Sequence, residues 1–362
     1  MRAAVLTRFG APLEVQEMPD PKAGGGEVVV EVLAALVAPY AADVFSGVRK
    51  YPLVPPVVPG TGAVGRVVHL GPDATRLKTG DLVWCDPTVR SRDDALTPDI
   101  ALQGWSSRGE GGARLATHWH DGAFAELMRL PTENVYPLPA AAGDDPARWA
   151  ALTVYTIAHG GLQAGRLTPG ETLLVSGATG NLGSTAIAVA FAMGAGRVVA
   201  PGRNRDVLDS LASRFGPRLR PVPLTGDEAT DRAAMSAAAG GPIDMVIDLL
   251  PPSAPSSATR TAAMTVREYG RIVLMGGVGM LGGTDLHLPY PWIMRNSITV
   301  RGQWMYPRTT NTHLIRLLAN GTLDLTHERV RSFGLDAVND ALTHAAAHPG
   351  PFERTTLTPT TH

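Results

Sequence analysis

Hydrophobic positions in the first third of the chain gather in short β-branched runs. Glu27–Val37 (EVVVEVLAALV) and Gly62–Leu70 (GAVGRVVHL) have the length and residue types of strands. Turn formers crowd the interval between them: Pro52, Pro55, Pro56, Pro59 and Gly60. Gly80-Asp81 leads into another short strand at Leu82-Val83-Trp84. Pro87–Ala116 has weak periodicity and many Arg, Asp, Gly and Ser residues. It reads as a long surface loop with one helical turn near Pro98–Leu102.

From Asp145 onward the pattern alternates. Ala147–Gly160 is helical in character, and Glu171–Ser176 is a short buried strand. A glycine turn and an apolar helix, Ser184–Met193, follow. Then come a strand at Arg197–Ala200, a helix at Asp206–Phe215 and a strand at Asp244–Leu249. Ala233–Gly241 reads as a helix end and loop, Thr259–Glu268 as a helix and Arg271–Met275 as a strand. Strands alternating with helices predict a parallel sheet wound with crossover helices. After Gly302 the pattern changes again, to helices at His313–Asn320 (capped by Gly321) and Asp336–Ala347, then a last strand near Arg354–Leu357. Such a terminal segment can fold back onto the first domain.

Composition acts mainly by exclusion. With 362 residues, 44% hydrophobic and 18% charged, the chain can bury one or two cores, which rules out general disorder. Thirty-two basic against 33 acidic residues, without like-charge blocks, give no support to nucleic-acid binding. Cys85 is the lone cysteine, so no intrachain disulfide and no multi-thiolate zinc site can form. The only lysines are Lys22, Lys50 and Lys78. None follows a glycine as a phosphate-binding P-loop requires, and none has a tyrosine four residues before it. Apolar runs fall far short of the roughly 18 residues of a membrane span. Met1–Ala11 carries Arg2 and Arg8 and no long apolar core, which predicts no signal peptide and a cytoplasmic protein.

The strongest motif is Ser176-Gly177-Ala178-Thr179-Gly180-Asn181-Leu182-Gly183, set between a strand and a helix. The spacing of Gly177, Gly180 and Gly183 is a variant of the dinucleotide-binding glycine pattern. Glycine permits the tight turn and lets backbone N–H groups approach a pyrophosphate at the helix N-terminus. The end of the second strand bears on the choice of cofactor. An acid there would bind the ribose 2′-hydroxyl of NAD. The run is instead Gly202-Arg203-Asn204-Arg205, and a small residue followed by guanidinium groups suits the 2′-phosphate of NADPH. Leu249 and Leu250 close the strand at Asp244–Leu249, where ligands of wound sheets contact backbone.

The glycine loop, together with Pro59-Gly60-x-x-x-x-Gly65, Gly80-Asp81-x-Val83, Asp121-Gly122-Ala123-Phe124-Ala125-Glu126, Leu152-Thr153-x-Tyr155 and Gly270-Arg271-x-Val273-x-Met275-Gly276, resembles the medium-chain dehydrogenase/reductase superfamily over nearly the whole chain. The resemblance implies an α/β protein with a GroES-like β-barrel catalytic domain (1–145), a Rossmann doubly wound parallel-sheet domain (146–300) and a C-terminal return to the catalytic domain (301–362). It implies a cleft between the domains where substrate and nicotinamide meet. It also implies a homodimer or homotetramer, assembled by extending Rossmann sheets, with Asn296–Gly302 as a plausible edge strand.

Zinc-dependent members carry a cysteine, a Gly-His-Glu motif and a third ligand. By resemblance those positions hold Ala38, Gly60-Thr61-Gly62 and Trp149, and the four-cysteine structural zinc lobe is absent. The chain therefore resembles the zinc-free, quinone-oxidoreductase-like branch, and no metal site is expected. His118-Trp119-His120 is the one metal-like cluster, two histidines that could share a strand face but lack a third ligand. Without a Lewis acid, the acceptor oxygen needs a hydrogen-bond donor or a proton. The resemblance offers Tyr51 at a Tyr-Pro acid position, Tyr40 beside the lost cysteine and Thr61 in place of the histidine. It also places Thr153, Gly276, Gly277, Val278 and Gln303 around the nicotinamide, with Gln303 and Trp304 lining the substrate pocket. The leading expectation is an NADPH-dependent reductase of a small-molecule quinone, enone or other activated carbonyl. Alternatives are a zinc-free alcohol dehydrogenase or ketone reductase, a zinc enzyme (which the missing ligands oppose) and a non-catalytic NADPH-binding protein.

Overall fold

The structure is a computed structural model, and it describes residues 1–360. The chain divides into two compact units. One comprises residues 1–153, 325–349 and 353 onward, the other 154–324 and 350–352. The divisions fall at 153/154 and 324/325 rather than at 145/146 and 300/301.

The first unit opens with strands β1 (Arg2–Val5), β2 (Glu14–Glu17) and β3 (Glu27–Val37), helix α1 (Ala41–Phe45), and strands β4 (Ala63–Leu70) and β5 (Leu82–Cys85). It continues through β6 (Thr88–Arg90), β7 (Ile100–Leu102), β8 (Ser106–Arg108), α2 (Gly109–His118), β9 (Leu127–Pro131), β10 (Val135–Pro137) and α3 (Pro146–Trp149). The β-branched run of β3 is buried along nearly its whole length because it pairs with β4 and β9 and packs on both faces.

The second unit contains α4 (Leu152–Ala164), which starts at the division, and then β11 (Thr172–Ser176), α5 (Asn181–Ala192), β12 (Arg197–Gly202), α6 (Arg205–Phe215) and β13 (Leu219–Pro223). It goes on through α7 (Glu228–Ala239), β14 (Ile243–Asp248), α8 (Ser256–Ala263), β15 (Val266–Leu274), α9 (Tyr290–Arg295), β16 (Thr299–Gly302) and α10 (Thr309–Ala319). All five strand pairings are parallel, in the order β13-β12-β11-β14-β15-β16. The order reverses between β11 and β14, the switch point at which a wound sheet opens a crevice beyond its strand ends.

The chain then returns to the first unit as β17 (Arg329–Gly334), α11 (Val338–Ala347) and β18 (Glu353–Thr358). These strands complete the sheet β10-β5-β4-β3-β18-β17, with β9 on β3. A buried ion pair, Arg354 to Glu328 at 2.8 Å, secures the return.

Several expectations are corrected. Pro87–Ala116 is not a loop. It holds the three-stranded sheet β6-β7-β8 and most of α2, and Pro98–Leu102 leads into a strand. Short strands of three residues carry too little periodicity to be read from sequence. Val266–Glu268 is strand rather than helix, because α8 stops at Ala263 and β15 begins at Val266. Strands β13 and β17 were not anticipated. Prolines in β13 and the exposed charges of β17 hide their alternation. No helix among the described residues is long and apolar enough to cross a membrane.

Candidate active site

In the second unit the glycine loop follows β11 and enters α5. Gly177 has φ +89, a conformation that favours glycine. A Cβ on Gly183 would collide with the Gly177 carbonyl, so loop and helix meet backbone to backbone. Gly180 is the N-cap of α5 and provides no side-chain cap, leaving this helix end to an anion. Asn181 opens the helix, and its side-chain amide donates to Gly350 O at 3.4 Å. Thr179 and Leu182 are half-buried in the same turn.

At the end of β12, a Cβ on Gly202 would run into Thr179 Cγ2 and lie 3.2 Å from Leu208 Cδ2. A side chain at this position would have to displace the Thr179 methyl. Arg203 and Arg205 are exposed and make no ion pair among the described residues. Asn204 caps α6, its Oδ1 accepting from Val207 N at 3.2 Å. These residues fit the adenosine and pyrophosphate end of a dinucleotide.

Beyond β14 and β15 the backbone is tightly cross-linked. Leu249 N donates to Ser176 O at 3.0 Å, Gly277 N to Leu250 O at 2.8 Å and Gln303 N to Leu274 O at 3.0 Å. A Cβ on Gly276 would sit 2.7 Å from Leu250 O, and one on Gly277 2.7 Å from Pro252. Val278 is half-buried just beyond. The Gln303 amide donates to Trp304 O and Met305 O, both at 3.3 Å. Sequence reading missed Asp248, buried at the end of β14. Its Oδ1 accepts from Ser176 Oγ at 3.0 Å and Thr259 Oγ1 at 3.1 Å. Burial raises its pKa to about 6, against the pull of these hydroxyls and the Leu250 N–H. An acid inside an apolar strand end was the available signal.

In the first unit the three candidate donors occupy neighbouring stretches. Tyr40 is the N-cap of α1, Tyr51 lies in the turn region after α1, and Thr61 precedes β4. Tyr40 and Tyr51 meet edge to face, with ring centroids 6.4 Å apart. Trp105, which the sequence reading did not single out, completes the cluster at 5.9 Å from Tyr40 and 6.4 Å from Tyr51. Arg49 lies 4.1 Å above the Tyr40 ring. Burial foremost, then Tyr51, pushes the Tyr40 phenol up, while Arg49 and a hydrogen bond from Trp105 pull it down. Thr61 Oγ1 is buried without a hydrogen-bond partner, a free donor and acceptor held off water. Thr153 Oγ1 donates to Ala150 O at 2.9 Å.

The residues present do not fit zinc. A Cβ on Gly62, where the resemblance puts the family's Glu, would collide with Trp84 Cη2 and lie 2.9 Å from Thr153 Oγ1. The space for a carboxylate is taken by a fully buried indole. Ala38 and Trp149 bring no ligand atom of the usual N, S or O kind. Among the described residues no three His, Cys, Asp or Glu side chains are grouped to hold a metal. Cys85 is buried in β5, and burial pushes its thiol up. His118 and His120 do not share a strand face. His118 ends α2 and its Nε2 pairs with Glu27 Oε1 at 3.0 Å. His120 lies beyond the helix and engages Asp121 Oδ1 at 3.1 Å and Val54 O at 3.0 Å.

Comparison with known proteins agrees with this architecture. Residues 24–140 match the alcohol dehydrogenase GroES-like domain, and residues 182–320 match the zinc-binding dehydrogenase domain. An alcohol dehydrogenase of Rhizobium meliloti (strain 1021) is 32% identical over 307 residues, covering 83% of each chain. The acryloyl-coenzyme A reductase of Metallosphaera sedula is 27% identical over 328 residues, 89% of this chain and 90% of that one. A candidate zinc-binding dehydrogenase from Sinorhizobium meliloti 1021, solved with NADP bound, superposes with a TM-score of 0.80 at 19% identity over 99% of both chains. The chain belongs to the medium-chain dehydrogenase/reductase superfamily, and its fold is GroES-like plus Rossmann-like. It is an oxidoreductase of the alcohol dehydrogenase and zinc-binding dehydrogenase family, dependent on a nicotinamide cofactor.

Proposed function

We propose that this chain is an NADPH-dependent reductase that delivers hydride to a quinone, an enone or another activated carbonyl without zinc. The observation that carries the cofactor choice is position 202. Glycine stands there in place of the acid that would bind a 2′-hydroxyl, with the Thr179 methyl lying close against it, and Arg203 and Arg205 stand exposed beside it. When bound, NADPH supplies the hydride. The N–H groups at the start of α5 hold its pyrophosphate, and Arg203 and Arg205 grip its 2′-phosphate. In the second unit, Leu249, Gly276, Gly277, Val278 and Gln303 border the nicotinamide. The Tyr51 hydroxyl gives a proton to the acceptor oxygen, and Thr61 Oγ1 is the second donor.

An acryloyl thioester is an activated alkene, so the Metallosphaera sedula relative supports the enone side of the proposal. The Rhizobium meliloti relative, an alcohol dehydrogenase, favours a second reading: a ketone reductase or alcohol dehydrogenase using the same hydroxyl donors. Oxidation of NADPH and NADH against quinones, enones and simple ketones separates the two. Fast NADPH oxidation with quinones or enones is expected. Turnover of simple ketones alone would favour the second reading, and tight NADPH binding with no turnover would mean a binding protein.

A further inference from the structure

Asp248 is a buried carboxylate without a cation. It closes β14, is 3% exposed, and makes no ion pair among the described residues. Strands β11 and β15 and helix α8 pack around it. The Ser176 hydroxyl of β11 and the Thr259 hydroxyl of α8 donate to its Oδ1 at 3.0 and 3.1 Å. Beyond the end of β15 it meets backbone, where a Cβ on Gly276 would fall 2.5 Å from Asp248 Oδ2. The arginines on these elements are engaged elsewhere. Arg260 of α8 pairs with Glu228 at 3.0 Å, and Arg267 and Arg271 of β15 pair with Asp244 and Glu171, both at 2.6 Å. Buried carboxylates are rarely left without a cation. Hydroxyls and backbone offset burial only in part, and the carboxyl titrates at about 6. At neutral pH it is ionised, buried and unpaired.

The backbone around Asp248 is the part of the sheet end that the proposed function gives to the nicotinamide. Leu249 follows it directly, Met275 N donates to Asp248 O at 3.1 Å, and Gly277 N donates to Leu250 O at 2.8 Å. The carboxylate therefore lies behind both strand ends that lead to Leu249, Gly276 and Gly277. A nicotinamide ring is neutral when reduced. On giving up a hydride, with its two electrons, it becomes cationic. The oxidised ring is the cation that this strand end lacks.

We infer that the Asp248 carboxylate is the electrostatic partner of the oxidised nicotinamide, favouring bound NADP+ over bound NADPH and so drawing hydride toward the acceptor. The inference rests on the proposed placement of the nicotinamide at Leu249, Gly276 and Gly277. Asp248 acts by its charge through space and takes no part in proton or hydride transfer. Protonation removes the effect. The affinity for NADP+ relative to NADPH therefore rises as pH rises through about 6, and NADP+ binding near that pH releases a proton. The 2′-phosphate titrates in the same range, but it is common to both nucleotides and cancels in their ratio.

The test is the ratio of dissociation constants, NADPH over NADP+, measured by calorimetric titration between about pH 5 and about pH 8. In the wild type it should rise about tenfold, the order expected for opposite charges on either side of a backbone segment at an effective dielectric constant of about 20. Asp248→Asn should hold the ratio flat at its low-pH value. Thr259→Val takes one hydroxyl from the carboxylate, favours its protonated form and should move the rise to higher pH. A flat wild-type ratio, the same rise in folded Asp248→Asn, or an unmoved midpoint in Thr259→Val would overturn the inference and leave the cofactor site standing. If NADH binds better than NADPH, the same ratio for NAD+ and NADH carries the test, because the ring is the same. Binding of none of the four nucleotides would overturn the proposed cofactor site, and the inference with it.

Discussion

The Ser176 hydroxyl donates to Asp248 Oδ1 at 3.0 Å, tying the C-terminal ends of β11 and β14 together at the point where strand order reverses. Burial raises Asp248 to about 6 from its ordinary 3.8. Below the unfolded value both states are protonated. Between the two values the folded protein keeps a proton that the unfolded chain has released, so the stability contribution is full at low pH and is lost as pH rises through about 6. Asp248→Asn should remove this fall and stabilise the protein at pH 8 relative to wild type, by up to ~3 kcal/mol at ~1.4 kcal/mol per pKa unit. Denaturant unfolding of both proteins at low and high pH checks the sign.

Gly180 has a conventional φ of −88, and a Cβ there would find its nearest neighbour, Gly177 O, at 3.4 Å. Gly180→Asp should therefore fold with an unchanged melting temperature. The carboxylate would face the pyrophosphate at the helix end and abolish NADPH binding. Calorimetric titration beside a thermal melt tests both halves; full NADPH affinity in a folded variant would remove this loop from the site.

Arg203→Ala should weaken NADPH by about 1.5–3 kcal/mol, the scale of a hydrogen bond to a charged group, and leave NADH nearly unchanged. Gly202→Asp alone should not convert the enzyme to NADH, because its side chain would press on the Thr179 methyl and Arg203 and Arg205 would stay in place. Equal losses for both cofactors on Arg203→Ala would refute the 2′-phosphate reading.

On the zinc-free reading, in which the resemblance puts Ala38, Thr61 and Trp149 at the zinc positions, chelator treatment should leave turnover intact; Trp84 occupies the space beside Gly62. Tyr51→Phe should slow turnover by about 2.7–4 kcal/mol in the transition state, the usual cost of removing one such donor, with little effect on NADPH binding. Activity lost on chelation and restored by zinc would reverse the zinc-free reading.

Strand β16 is an edge strand, exposed along all four residues including Val300, and Tyr269 adds exposed apolar surface in the same unit. Sheet extension through this edge in a homodimer or homotetramer is the expected assembly. Sedimentation at micromolar concentration should show no monomer.

Much of this protein was legible along the chain because its signals are local. The strand, glycine loop and helix at Thr172–Ala192 are marked by residue type and spacing, since a tight turn against a helix end demands glycine wherever it occurs. The run Glu27–Val37 declared a strand by its length and β-branched residues. What only the tertiary structure decided depends on residues far apart in sequence. That a side chain at position 202 would press on a neighbour depends on Thr179, 23 positions earlier, lying against it. That Asp248 titrates near 6 depends on burial beside Ser176 and Thr259. That Trp105 joins Tyr40 and Tyr51 depends on a three-stranded sheet whose strands are too short to show periodicity. Periodicity reports which face of an element is buried; it carries no record of which distant side chain will fill the space opposite, and that is settled by packing.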